Sequence, residues 1–247
     1  MPFTGDKIIY YSSCESTNTM AINLLATQNV LEGTIVITDE QTQGKGQRGK
    51  QWVTLPGQNL TFSIIFYPSW LAIENTFSLY IISALGICEA LFPTLQYGLT
   101  IKWPNDIYAG DKKLGGILVE NMVQKDTIKA AVIGIGLNVN QTNFNDLPYA
   151  TSLALLASRE FSLAPLLRQL TDGIQKQYDR LYDNRLNELK QDYVKHLYGL
   201  HTTRTFQDQQ GIFQGVIQGI DDRGRLVIDA LEHGMKYYMH TEVTYIT

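Results

Sequence analysis

The alternation of apolar and polar positions divides the chain into a strand-rich first part, a helical stretch and a second strand-rich tail. Ile8-Ile9-Tyr10-Tyr11 predicts a short strand. Met20, Ile22, Leu24 and Leu25 then recur at helical spacing behind Ser16, Thr17 and Asn18, residue types that favour a helix start. Thr34 to Thr38 and Asn59 to Phe66 read as strands, and Phe77 to Leu91 as a buried helix. Leu99 to Lys102 is a further strand, followed by Trp103-Pro104-Asn105-Asp106. Ile107 to Ala109 and Leu114 to Glu120 flank Gly110-Asp111-Lys112-Lys113 as a hairpin. Ala130 to Asn140 is a mostly apolar central strand with glycines at 134 and 136, where either a ligand or another part of the protein comes close. From Pro165 the spacing of Leu166, Leu170, Ile174, Tyr178, Leu181, Leu186 and Tyr193 predicts one long helix or two shorter ones. Gly211 to Ile220, Arg225 to Ile228, Met235 to Met239 and Glu242 to Ile246 supply the strands of a small barrel.

Composition narrows the class without naming an activity. At 247 residues and 44% hydrophobic content, the chain suffices for one large core, or a core with a small appended domain. Two cysteines, Cys14 and Cys88, form no C-x-x-C pair, and no leader is evident, so a cytoplasmic setting is expected. The longest apolar run is broken by Ser78, Ser83 and Glu89 and reads as a buried helix, so no membrane partner is expected. The four histidines lack ligand spacing, and no protein-ligated metal is expected. A formal charge of −4 argues against a general nucleic-acid binder. The chain reaches its first strand by residue 8, leaving no room in this sequence for a preceding helix-turn-helix module.

One stretch departs from this mild acidity. Asp39 to Trp52 holds Gly44, Gly46 and Gly49 together with Lys45, Arg48 and Lys50. It satisfies both G-x-G-x-x-G and G-x-x-x-x-G-K, yet each of those motifs opens a helix. Here Pro56-Gly57 and a strand follow, and Gln51 stands where a P-loop places Ser or Thr. What survives is a flexible basic loop between two strands, able to close over an anion. A solvated loop that happens to be basic is the alternative for this stretch taken alone.

Four segments in order resemble the biotin protein ligases. They are Gly44-Lys45-Gly46-Gln47-Arg48-Gly49-Lys50-Gln51-Trp52, Lys102-Trp103-Pro104-Asn105-Asp106, Lys113-Leu114-Gly115-Gly116-Ile117-Leu118-Val119-Glu120 and Gly134-Ile135-Gly136-Leu137-Asn138. Ser16-Thr17-Asn18 and Ala150-Thr151-Ser152-Leu153 are similar to further family segments. The resemblance implies an α+β fold, with a mixed-sheet, class II synthetase-like catalytic domain over residues 1–200 and a small β-barrel over 201–247. It also implies a two-step reaction in which biotin and ATP, the latter with Mg2+, give biotinyl-5'-adenylate. The adenylate then acylates a lysine of a biotin carboxyl carrier protein. The chain resembles the short form without a DNA-binding module, so no sequence-specific DNA partner is implied, and a monomer or weak homodimer is.

By the same resemblance, Lys113, Arg48 and Asp106 are the catalytic residues. Ser16, Thr17, Asn18 and Gln41 meet the ureido end of biotin, while Trp52, Gly116 and Leu118 line its apolar chain. Gly44, Lys45, Gly46, Gln47, Lys113, Gly134 and Gly136 complete that set. Lys45, Arg48, Lys50, Trp52, Asn105, Lys113 and Asn138 face the nucleotide or adenylate. Gln47 departs from the family loop, which carries arginine there, and so bears on how tightly the adenylate is held. The chemistry fits the residue types, since carboxylate attack on an α-phosphate asks for preorganised cations and no protein nucleophile. A lipoate-type ligase and a nucleotide sensor without turnover are the two competing readings.

Overall fold

A computed structural model describes residues 7–95, 98–144 and 147–246. The first part is built on a seven-stranded mixed sheet in the order β1-β2-β3-β7-β6-β5-β4. Its strands are β1 (Ile8–Cys14), β2 (Ile35–Gln41), β3 (Leu60–Phe66), β4 (Thr100–Lys102), β5 (Asp106–Ala109), β6 (Lys112–Gln124) and β7 (Thr127–Leu137). Only β1 and β2 run parallel, joined by the crossover helix α1 (Thr17–Thr27), while the other neighbours are antiparallel.

Strand register sorts the core into two layers. Phe62, Ile64, Ile133 and Ile135 turn to one face, against the almost wholly buried α2 (Ser78–Leu91). Ile65 and Val132, one residue out of step, turn to the other and meet Ala21 and Leu24 of α1. Each such buried aliphatic side chain contributes about 1.5–3 kcal/mol. α2 is covered in turn by α4 (Leu163–Tyr182), and the two cross at Gly86 and Gly173. A Cβ on Gly86 would lie 2.6 Å from the Ile174 backbone, so this crossing needs glycine for close approach.

The helical stretch resolves into three helices: a short α3 (Leu153–Ala157) unforeseen in the apolar spacing, then α4, then α5 (Leu186–Lys195). The tail holds five strands, β8 (Thr203–Asp208), β9 (Gly211–Ile220), β10 (Leu226–Ala230), β11 (Gly234–Tyr238) and β12 (Thr244–Ile246). They pair antiparallel in the order β11-β10-β9-β8-β12. β11 and β12 are the two edges, so the described pairings form an open sheet and no closed barrel. Phe206, Ile217, Leu226 and Ile228 from this sheet join the same core cluster as α2 and α4, which seats the tail directly on the first part. Among the described residues no helix is long and apolar enough to cross a membrane.

The hairpin is tighter than its sequence suggests. Its turn is Gly110-Asp111, Gly110 taking φ +58°, and Lys112 and Lys113 already belong to β6. Ile107 pairs Gly115 and Tyr108 pairs Lys113, so Leu114 is an extra residue on β6, a bulge.

Candidate active site

A cavity of about 380 Å³ lies on the α1 face of the sheet, and its floor follows from register. Gly116 of β6 pairs Gly136 of β7, which pairs Thr61 of β3; two residues along, Leu118 pairs Gly134 and Gly134 pairs Ser63. A Cβ on Gly136 would lie 2.2 Å from the Trp52 indole, and one on Gly134 would lie 2.2 Å from Asn18 Oδ1. The two glycines are therefore the seats on which two other candidate residues lie.

One end of the cavity is neutral and polar. Ser16, Thr17 and Asn18 at the start of α1 are each only 2% exposed. Gln41 Oε1 accepts the Thr17 backbone N–H at 2.8 Å, which fixes the amide and leaves its NH₂ as the group with donors to spare. The Ser63 hydroxyl lies 2.6 Å from Asn18 Oδ1 and 2.7 Å from the Thr17 hydroxyl. An amide oxygen only accepts, so Ser63 gives its single hydrogen to Asn18 and the Thr17 hydroxyl donates back to Ser63. Asn18 Nδ2 donates to Glu120 at 2.7 Å. Ser63 and Glu120 are thus positioning residues that the motif reading left without a role, although Glu120 closes one of the quoted segments.

This packing gives a prediction. Gly134→Val is expected to displace Asn18 and leave buried polar groups unpaired, a cost of about 1–3 kcal/mol, equivalent to roughly tenfold to hundredfold in affinity. Calorimetric titration with biotin, the ligand that the resemblance implies, measures it, beside Gly98→Ala, where an added Cβ meets nothing within 4 Å. Equal affinities in the two variants would remove Gly134 from the site.

The other end is cationic. Lys113 Nζ sits 2.7 Å from Asp106 Oδ1 and 5.7 Å from the Trp52 ring centre. Regular alternation would put residues 113 and 116 on opposite faces of β6, yet both line the cavity. The Leu114 bulge reverses the parity and turns Lys113 inward while Leu114 stays in the core, 0% exposed. The Lys113 backbone is held on its outer side as well, its N–H donating to Tyr149 O and its C=O accepting from Thr151 N–H.

Above the floor runs the basic loop. Gly46 N–H donates to Lys50 O at 2.7 Å and Trp52 N–H to Gly44 O at 3.0 Å, closing it into a narrow ribbon around a 3₁₀ turn, Gln47–Gly49. Lys45, Gly46, Gln47 and Lys50 line the cavity, and Gln47 Nε2 donates to the Tyr80 hydroxyl of α2 at 3.2 Å. The side chain of Arg48 lies outside the described part of the structure. Below the loop, the Trp103-to-Asp106 turn is tied down from three sides. Trp103 Nε1 donates to Gly224 O at 3.0 Å, the Tyr193 hydroxyl to Pro104 O at 2.9 Å, and Asn105 Nδ2 to Ile117 O at 2.7 Å.

The expected residues accordingly converge, with two exceptions among those described. Gly44 is buried beneath the loop, where a Cβ would lie 2.1 Å from Trp52 O, so it closes the loop rather than lining the cavity. Asn138 is also off the cavity: its Nδ2 donates to Thr151 O at 2.9 Å and thereby braces the segment that holds Lys113. Conversely, Thr61, Lys102, Tyr108 and Tyr245 line the cavity without having been singled out. Lys102 opens the quoted segment that ends at Asp106 but was given no role there, and Tyr108 lies two residues beyond it, whereas nothing in the tail's sequence ties Tyr245 to a site so distant in the chain. Burial holds the Lys102 ammonium below its usual pKa; Asp106 opposes the shift, and the like charges of Lys113, Arg204 and Lys50 add to it. Burial pushes the Tyr108 phenol up to about 12. Among the described residues no three His, Cys, Asp or Glu side chains gather as a metal site.

A neutral polar pocket joined to a cationic one, with a sheet floor and a ribbon roof, suits a ligand with an uncharged polar group at one end and an anion at the other. Comparison with known proteins gives the family. Residues 10–138 match the model of the biotin/lipoate A/B protein ligase family, and residues 205–239 that of the biotin protein ligase C-terminal domain. The chain is 31% identical over 239 residues to the bifunctional ligase/repressor BirA of Bacillus subtilis, a match covering 95% of this chain and 73% of that protein. It is 28% identical over 225 residues to the biotin--[acetyl-CoA-carboxylase] ligase of Mycobacterium tuberculosis, covering 87% and 80%. The biotin protein ligase of Aquifex aeolicus in complex with biotin and ATP superposes with a TM-score of 0.82 at 26% identity, over 98% of this chain and 99% of that one. The chain belongs to the biotin/lipoate A/B protein ligase family, on its biotin protein ligase side. It is a ligase enzyme.

Proposed function

We propose that the protein converts biotin and Mg2+-ATP into biotinyl-5'-adenylate and passes the biotinyl group to a lysine of a biotin carboxyl carrier protein. The observation that carries this reading is Lys113 on its bulge, ion-paired with Asp106 at 2.7 Å where the polar and cationic ends meet. There its ammonium faces both a carboxylate entering from one side and an α-phosphate from the other. In the first step a biotin carboxylate oxygen bonds to the α-phosphorus, and the bond to the β-phosphate oxygen breaks. Lys113 stabilises the charge that gathers on the oxygens of both groups. In the second, the carrier amine attacks the acyl carbon and AMP leaves. Asp106 orients Lys113 and, with Asn105, faces the incoming amine.

Ser16, Thr17, Asn18 and Gln41 take the ureido ring, whose carbonyl suits the free Gln41 donors. Trp52, Gly116, Leu118, Gly134 and Gly136 bound the apolar chain. Lys45, Arg48 and Lys50 close over the adenylate and shield its mixed anhydride from water, with magnesium arriving as part of the nucleotide. This reading divides the chain into a catalytic unit, residues 1–200, and a C-terminal unit, residues 201–247. It takes the partner to be a protein carrier, with no sequence-specific DNA, and the enzyme to be a cytoplasmic monomer or weak homodimer. The test is incubation of the purified protein with Mg2+-ATP and biotin, then with a carrier domain, each product being detected by mass spectrometry. Absence of the adenylate would overturn the reading.

Gln47 gives a second test within it. Its hydrogen bond to Tyr80 anchors the loop to α2 without charge. Gln47→Arg adds a cation beside the phosphate and is expected to slow release of preformed labelled adenylate, chiefly through the off-rate. Tyr80→Phe, which loses the anchor, is expected to speed it. A filter-binding chase showing parent-like release in both variants would contradict this role for the loop.

A further inference from the structure

Lys102 lines the same cavity as Lys113 but is held quite differently. It faces Asp106 across the β4–β5 pair, yet that carboxylate is engaged by Lys113, and no carboxylate lies within ion-pair distance of Lys102 among the described residues. Its ammonium instead rests among three tyrosine rings, 4.8 Å from the centre of Tyr245, 5.1 Å from Tyr108 and 5.8 Å from Tyr198. Cation–π contacts return only part of what withdrawing an uncompensated ammonium from water costs. Lys113, Arg204 and Lys50 add like charge to the same region. A cation kept under these conditions is poised for an anion.

The rings supply a second observation. The Tyr198 hydroxyl is committed, donating to Asp111 at 2.6 Å and accepting from Arg204 at 3.1 Å. The Tyr245 hydroxyl is buried and has no hydrogen-bond partner among the described residues. Tyr245 lies on β12, so the C-terminal sheet delivers an unused donor to the cavity beside the unpaired cation.

We propose that Lys102 is a catalytic residue that holds the β- and γ-phosphates of the nucleotide and then the departing pyrophosphate, with the Tyr245 hydroxyl as an accompanying donor. The inference rests on the adenylate-forming reading above. In that step the carboxylate–phosphorus bond forms, and the electron pair of the broken phosphorus–oxygen bond leaves on pyrophosphate without proton transfer. Lys113 serves the bonds being exchanged, and Lys102 serves the group that departs. In the competing account the lysine only clamps β4 to the C-terminal sheet through its rings.

Lys102→Met keeps the apolar stem over the rings and removes the charge, Lys102→Arg restores the charge, and Tyr245→Phe removes only the hydroxyl. Each is assayed for biotin-dependent ATP–pyrophosphate exchange, for the KM of pyrophosphate, and for single-turnover transfer of preformed biotinyl-adenylate to a carrier domain. Lys102→Met is expected to lower exchange on the order of tenfold to a hundredfold, to raise the pyrophosphate KM and to leave transfer unchanged, because no pyrophosphate takes part in it. Lys102→Arg recovers most of the loss, and Tyr245→Phe shifts the KM in the same direction by less. Equal loss of both half-reactions, or unchanged exchange, overturns the proposal. If Lys102→Met proves too unstable to assay, Tyr245→Phe decides, and an unaltered pyrophosphate KM overturns it. A parent protein that forms no adenylate would overturn the functional reading itself, a result distinct from all of these.

Discussion

Lys113→Ala is expected to lower biotin-dependent pyrophosphate exchange on the order of a hundredfold or more, the range for removing one preorganised electrostatic donor. The size follows from where the ammonium is fixed. A bulge, two backbone hydrogen bonds to the 149–151 segment and Asp106 all hold it before substrate arrives, so little reorganisation is left for the reaction. Asp106→Asn keeps the shape and weakens the hold, and should fall in the same direction by less. Neither change should cost much stability, because Lys113 and Asp106 remain 33% and 24% exposed and such pairs contribute about 0–1 kcal/mol. Exchange assays beside thermal melts separate the two effects. Intact exchange in Lys113→Ala would remove the residue from the chemistry.

The second large effect concerns the acid that is activated. Biotin is expected to support exchange, and lipoate to do so at least a thousandfold less well, since a site built to hydrogen-bond its substrate rejects one that leaves those groups unpaired by about 10⁴–10⁵. Thr17, Asn18 and Ser63 are 2%, 2% and 0% exposed and share one ordered set of hydrogen bonds. A dithiolane entering this end has no hydrogen-bonding groups to match the ureido ring, and the Gln41 donors would lose water without replacement. Comparable kcat/KM for the two acids would instead favour the lipoate-type reading.

Much of this was legible because the chemistry sits in contiguous runs. The basic loop, Trp103 to Asp106 and Lys113 to Glu120 each carry their residue types in order, and apolar alternation located the strands that present them. Parity was not legible. Counted along a regular strand, Lys113 faces the core and Gly116 the cavity, and only the Leu114 bulge, visible as a register shift, brings them together. Asn138 shows the reverse error, since a motif carried over whole does not distinguish the residue facing ligand from the one bracing the segment behind Lys113. β8 escaped notice because Thr-Arg-Thr-Phe-Gln-Asp offers one buried apolar residue and no alternation. Tyr245 reaches the cavity only through the docking of the C-terminal sheet, a contact between distant parts of the chain that local pattern does not encode.

The start of α1 carries a thermodynamic consequence. Ser16 occupies the N-cap position but makes no capping bond, and the Thr17 amide is met by Gln41 from β2. A side-chain cap contributes about 0.5–2 kcal/mol to a helix, and here Ser16, the residue placed to supply it, lines the cavity. Stability and recognition therefore compete for the Ser16 side chain. Sequence changes that optimise this turn as a helix end would harden the fold while blunting the site, which makes it a place where thermostabilisation and affinity pull in opposite directions.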